Sequence, residues 1–159
     1  MSAPSSQKVF TKDQTVLRDG LIYHQDTNEP VNGIVEMFHP NGQSKVRGNF
    51  IDGKSDGLWK YFYENGQLNM RGNYRDGEQN GPFETFYENG ELWERGNYRD
   101  GVENGLWEYF YENGQLEMRR NFKDGKRDGL WEIFDPNGNL TRTVTYRNGE
   151  LVDWNVIHP

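Results

Sequence analysis

An all-β fold is predicted for this 159-residue chain: an elongated single sheet of repeated antiparallel hairpins. Three observations predict it. Asn-Gly recurs at Asn41-Gly42, Asn65-Gly66, Asn89-Gly90, Asn113-Gly114 and Asn137-Gly138, a step of 24 residues. The same step separates Asp52-Gly53, Asp76-Gly77, Asp100-Gly101, Asp124-Gly125 and Asn148-Gly149, and also Gly33, Gly57, Gly81, Gly105 and Gly129. Between the turns lie strand formers such as Leu58-Trp59-Lys60-Tyr61-Phe62-Tyr63. Asn-Gly between such runs marks a two-residue, type I′ hairpin, because that turn takes positive φ at both central residues. A fixed period of this size belongs to repeat arrays.

A two-residue loop at Asn65-Gly66 sets a register: Tyr63 opposite Leu68, Phe62 opposite Asn69, Tyr61 opposite Met70, Lys60 opposite Arg71, Trp59 opposite Gly72. Alternation along the strands then gives two faces. Face A carries Trp59, Tyr61, Tyr63, Leu68, Met70, Gly72 and Tyr74 and is apolar. Face B carries Leu58, Lys60, Phe62, Glu64, Gln67, Asn69, Arg71 and Asn73 and is mostly polar. The same register pairs Glu36 with Arg47, Glu84 with Arg95 and Glu108 with Arg119 on face B, each pair contributing roughly 0.2–1 kcal/mol.

In chain order, residues 1–12 are expected to be disordered. Residues 13–33 form an N-terminal cap: Val16-Leu17-Arg18 and Leu21-Ile22-Tyr23 flank Asp19-Gly20, and Gln25 to Asn32 is a loop. Five in-phase hairpins, 34–50, 58–74, 82–98, 106–122 and 130–146, fill residues 34–146. The first and last are degenerate, as terminal repeats are: Ser44 stands in for leucine, and Thr141, Thr143 and Thr145 replace most of the polar ladder. Residues 147–159 hold a capping strand that is expected to pair with the last hairpin and to be covered by its own chain.

Composition fits an array. Only 33% of residues are hydrophobic, too few for a compact single core, whereas a repeat buries its apolar face against neighbours alone. The absence of cysteine rules out disulfides and thiolate metal sites. A net charge of −7 disfavours nucleic acid and anionic lipid and suits a basic protein partner. Met1 to Lys8 lacks the apolar segment of a secretory signal, no run is long enough to span a membrane, and Ser2 excludes a myristoylation signal, so the expected compartment is the cytoplasm.

No catalytic, cofactor or metal residue stands out. His24, His39 and His158 match no metal-ligand spacing. The Glu–Arg pairs recur with the period and read as solvated ion pairs. The glycine turns lack the Lys-Ser/Thr of a phosphate loop, and the Asp-Gly turns lack the acidic spacing of a calcium loop. A binding protein is expected, not an enzyme.

The unit Gly57-Leu58-Trp59…Tyr61-Phe62-Tyr63-Glu64-Asn65-Gly66-Gln67-Leu68…Arg71-Gly72-Asn73-Tyr74-Arg75-Asp76-Gly77 resembles the MORN repeat (membrane occupation and recognition nexus), and more closely its bacterial variant. Asp19-Gly20-Leu21-Ile22-Tyr23…Glu29-Pro30-Val31-Asn32-Gly33 is similar to the lead-in of bacterial MORN-variant proteins classed as antitoxins or immunity proteins. The resemblance covers about residues 19–151. It implies a protein that neutralises a cognate toxin by binding it. The lipid-linked branch of the family implies a membrane-surface scaffold instead, from which the acidic balance departs. A self-assembling scaffold is a third expectation, with Val152, Trp154, Val156 and Ile157 adding to another copy's sheet edge; a covered strand and a monomeric free protein are expected against it.

A repeat protein recognises a partner where it departs from its own consensus, and the third hairpin departs most. On face A, Thr85 replaces the tyrosine of Tyr61 and Tyr109, and Glu94 opposite it replaces Met70 and Met118. On face B, Trp93 stands where Asn69, Glu117 and Thr141 stand and opposes Phe86, one of the ladder Phe38, Phe62, Phe86, Phe110 and Phe134. The candidate interface is Trp93 with Phe86, Phe62 and Phe110, rimmed by Glu84, Arg95, Glu108 and Arg119. The alternative is that Trp93 packs on Phe86 and Arg95, or fills a fold-back of the sheet.

Overall fold

The computed structural model describes residues 7–158. Its strands are β1 (Val9–Thr11), β2 (Thr15–Arg18), β3 (Leu21–His24), β4 (Gly33–Phe38), β5 (Ser44–Ile51), β6 (Lys54–Phe62), β7 (Leu68–Arg75), β8 (Glu78–Phe86), β9 (Leu92–Arg99), β10 (Val102–Glu103), β11 (Gly105–Phe110), β12 (Leu116–Lys123), β13 (Lys126–Arg127), β14 (Gly129–Phe134), β15 (Leu140–Arg147) and β16 (Glu150–Val156). One sheet runs β1-β4-β5-β6-β7-β8-β9-β11-β12-β14-β15-β16, with β10 beside β9 and β13 beside β12. From β4 onward this path is an antiparallel meander, so the sequence period becomes the strand order.

The two kinds of corner exchange the roles expected of them. At Asn65-Gly66 only Gly66 has positive φ, and the Tyr63 N–H donates to the Gln67 carbonyl across a three-residue loop. A bulge follows: Phe62 pairs with Leu68 and Tyr61 with Met70, leaving Asn69 without an opposite residue. The expected Phe62–Asn69 and Tyr63–Leu68 pairs are therefore not made. The type I′ turns lie at the other end, where Asp52 and Gly53 both have positive φ (48° and 78°) between the paired Ile51 and Lys54. Asparagine at the first kind of corner serves hydrogen bonding: Asn65 Oδ1 accepts from the Gln67 N–H, and Asn65 Nδ2 donates to the Glu88 carbonyl of the next corner. The Tyr63, Tyr87 and Tyr111 hydroxyls likewise donate to the carbonyls of Phe86, Phe110 and Phe134, one repeat ahead. His39, at the equivalent position in the first hairpin, puts Nε2 2.8 Å from the Phe62 carbonyl and keeps that link.

Face A is the buried face. Val46, Phe50, Phe83, Trp107 and Trp131 belong to it, whereas Leu58, Leu106 and Leu130 of face B are exposed. The expected opposition of Trp59 and Gly72 exists as strand pairing, but the Trp59 ring lies over Gly48 of the preceding hairpin; Phe83 lies over Gly72, and Trp107 over Gly96. Each aromatic thus covers a bare stretch of the previous repeat, which couples nearest neighbours along the array. Where Arg120 replaces the glycine, its guanidinium stacks on Trp131 at 4.9 Å. A methyl at Gly96 would overlap the indole carbons of Trp107, while one at Gly72 would sit 3.1 Å from Phe83 Cδ2. Gly96→Ala is expected to cost about 1–3 kcal/mol by overpacking, and Gly72→Ala less. Urea melts of the two variants check this, and equal costs would contradict it.

The N-terminal cap is larger than expected. The disordered segment expected over 1–12 is corrected at its end, because β1 pairs in parallel with β4, Val9 to Thr11 facing Ile34 to Glu36; residues 1–6 lie outside the described residues. β2 and β3 form a separate hairpin docked by Ile22 N–H to the Gly53 carbonyl and Val31 N–H to the Ile22 carbonyl, both 2.9 Å, which buries Val31. At the other end β16 pairs with β15. Its outer side has no strand partner among the described residues, and all seven of its residues are exposed, which corrects the expected cover by its own chain.

Candidate functional site

The bulge decides the setting of Trp93. Thr85 pairs with Glu94 and Phe86 with Leu92, so Trp93 is the extra residue and opposes nothing. This corrects its expected opposition to Phe86: the bulge takes Trp93 out of the face B alternation and places it beside the Asn89-Gly90 corner. Its ring centroid lies 6.1 Å from that of Tyr87, and it remains 45% exposed. Tyr87 is held by its hydroxyl, which donates to the Phe110 carbonyl at 2.7 Å. Trp93 therefore rests against an immobilised ring.

Phe62, Phe86 and Phe110 are half-buried on face B. The Arg71 guanidinium lies over Phe86 at 5.8 Å and that of Arg95 over Phe110 at 5.4 Å, so arginines screen these rings instead of leaving them open around Trp93.

The charged ladder differs in pairing from the expected one. Glu36–Arg47 forms at 2.9 Å and Glu108–Arg119 at 3.4 Å, but Glu84 pairs with Arg71 of the preceding hairpin, and Arg95 pairs with Glu108 at 2.8 Å. The expected Glu84–Arg95 ion pair is not made, although the two residues face each other in the register. Arg119 reaches on to Glu132 at 3.6 Å. The carboxylates lie beneath half-exposed guanidinium groups, so Glu84, Arg95, Glu108 and Arg119 tie hairpins together, each exposed pair contributing little.

The charges around the Tyr87 corner are acidic. Glu88 and Glu91 flank that corner in sequence. Burial pushes the Tyr87 hydroxyl pKa up, and the nearby Glu117 and Glu112 charges push it further; Tyr63 is raised by burial and then by Glu88. Sequence reasoning missed Glu88, Glu91, Glu112, Glu117 and Tyr87. The signal for Tyr87, Glu88 and Glu112 was present in the Tyr-Glu-Asn-Gly corners at Tyr63, Tyr87 and Tyr111, which set a carboxylate beside those turns.

A second polar cluster interrupts face A. Thr85 and Glu94 are joined there by Glu103, Tyr98, Tyr109 and Arg120. The Thr85 side chain is buried and pairs in register with Glu94, whose carboxyl pKa it lowers in part. Burial raises the Glu94 carboxyl pKa, as it does that of Glu103, and Arg120 offsets part of each shift. Tyr98 is pushed up to about 12, by burial first and then by Glu103 and Glu94. A carboxyl raised on folding contributes stability that is complete below the ordinary carboxylate range and is lost as pH rises through the folded value. The contribution of Glu94 therefore falls as pH rises above the ordinary carboxylate range. Glu94→Gln is expected to raise the Tm at pH 7 and to leave it unchanged below pH 4; an unchanged or lowered Tm at pH 7 would contradict this.

The geometry defines a class, an all-β array of 24-residue hairpin repeats. The MORN repeat variant family matches residues 31–52, 55–76, 79–100, 103–124 and 127–148. The chain belongs to this family. No curated protein matches it. Among solved structures, the crystal structure of the GtfA/B complex bound to UDP and GlcNAc is similar over 91% of this chain and 25% of that one, at 10% identity and a TM-score of 0.27. This chain thus spans a quarter of that chain's length. Among the described residues, no helix is long and apolar enough to cross a membrane.

Proposed function

We propose that this chain is a protein-binding module that neutralises a cognate protein toxin by occluding it, in the cytoplasm, without chemistry of its own. The repeat family supports a scaffold or binding role. The observation that carries the finer reading is Trp93, an exposed aromatic resting on a Tyr87 ring whose hydroxyl is hydrogen-bonded and has Glu112 and Glu117 nearby. Tryptophan is enriched among interface hot spots, and interface rims are polar. Carboxylates near Tyr87 select a basic surface, and association steered by them weakens with salt. The resemblance of residues 19–33 to the lead-in of immunity proteins supports the choice of a toxin as partner.

The test is co-expression with the protein encoded beside this gene. The expected result is that the neighbour alone arrests growth, that this chain restores it, and that the two elute together on gel filtration. A toxic neighbour with neither rescue nor complex would overturn the reading.

A further inference from the structure

The two ends of the sheet differ. The first strand is a three-residue segment beside a docked hairpin, whereas β16 presents seven exposed residues and an edge without a strand partner among the described residues. Open edges are blunted by charge, proline or bulges; β16 carries no lysine or proline, and its own devices are the acidic Glu150 and Asp153 and a bulge at Val152. Leu151, Val152, Trp154, Val156 and Ile157 are all exposed, Trp154 by 60%.

The alternation of the β15–β16 ladder fixes which backbone groups are free. Ile157 N–H donates to the Thr141 carbonyl at 2.8 Å, in line with the register that pairs Thr143 with Asn155 and Thr145 with Asp153. Hydrogen-bonded and non-hydrogen-bonded pairs alternate in an antiparallel ladder. Val144–Trp154 and Arg142–Val156 are therefore non-hydrogen-bonded pairs, and the N–H and C=O of Trp154 and Val156 point to the open edge.

The sequence of this edge is self-complementary. Reversed about Trp154, Leu151-Val152-Asp153-Trp154-Asn155-Val156-Ile157 reads nearly as itself. Antiparallel pairing with a second copy, centred on Trp154, sets Val152 against Val156 and Leu151 against Ile157. It sets Asp153 against Asn155, an acceptor against a donor, and Glu150 against His158. No like charges meet. At Trp154 the free backbone groups are in phase, because Trp154 opposite Trp154 is the hydrogen-bonded position this register requires; Val152 is the extra residue of a bulge in the β15–β16 ladder and leaves the alternation there. A two-fold interface needs one patch that complements itself, and this strand meets that condition in its side-chain order and, at Trp154, in its backbone.

We infer that β16 pairs with β16 of a second copy, antiparallel and centred on Trp154, joining two sheets into one with both A faces on the same side. The capped N-terminal ends then lie outermost, and Trp93 of each copy stays free. This inference is independent of the partner proposed above and replaces the monomer expected for the free protein.

Sedimentation equilibrium of the full chain across the micromolar range is expected to give twice the chain mass. Val156→Pro removes an edge-facing N–H that makes no bond within the chain; it is expected to weaken association about tenfold or more with the Tm of the monomer unchanged. Because the chain has no cysteine, the register is read separately by cross-linking. Hydrogen-bonded antiparallel pairs hold their Cα atoms about 5.5 Å apart, within disulfide range. Trp154→Cys is expected to cross-link to itself on oxidation. Val152→Cys and Val156→Cys are each expected to stay uncross-linked alone and to cross-link when mixed, with Trp154 intact. A monomeric mass throughout, or self-cross-linking of Val152→Cys alone, would overturn the inference.

Discussion

Trp107→Ala is expected to destabilise the chain by about 3–5 kcal/mol, the range for removing a fully buried aromatic. The ring is 1% exposed and closes on three sides: Gly96 beneath it, Phe83 at 5.8 Å and Tyr98 at 5.0 Å. Truncation removes the aromatic that couples the third hairpin to the fourth, at the middle of the array. In a one-dimensional stack a lost nearest-neighbour interface lowers cooperativity as well as stability. The variant should therefore unfold at lower urea and with a shallower transition than wild type. An unchanged midpoint would mean that face A does not hold the array together. Trp131→Ala is expected to cost less, because Trp131 is already 8% exposed, with Arg120 in place of a glycine.

Much of this was legible in the sequence, because the features that fix it are local. The Asn-Gly and Asp-Gly steps, the alternation of Trp59, Tyr61 and Tyr63 against Leu58, Lys60 and Phe62, and the opposition of Tyr61 to Met70 all appear as read. The turn types were not legible, for a definite reason. A three-residue loop followed by a bulge restores the same register that a two-residue loop would give, so both readings predict Tyr61 opposite Met70. They differ only at the tip, where Asn69 and Trp93 sit. Ion pairing was only half legible because each central strand has two neighbours at about 4.8 Å, and period alone does not tell an arginine which side to choose; Arg71 and Arg95 turn to the following hairpin. β1 was missed because three residues paired to a distant strand leave no local signal.

The candidate site followed the same division. Trp93 was visible as a departure from consensus, but its neighbours depended on the bulge. The arginine-screened Phe86 and Phe110 gave way to Tyr87, Glu112 and Glu117. Arg120 and Glu103 joined the Thr85–Glu94 interruption only once strands far apart in sequence were brought side by side.

In the proposed division of labour Trp107 holds the array and Trp93 is the partner anchor. The most direct measurement is a calorimetric titration of wild type and Trp93→Ala with the proposed partner, alongside a thermal melt of each. Loss of an anchor worth about 2 kcal/mol or more predicts at least a roughly 30-fold weaker Kd. Because Trp93 is exposed and unpaired at its bulge, the Tm should stay where it was. Equal affinity of mutant and wild type would contradict the account and move the contact to the Thr85–Glu94 cluster on face A.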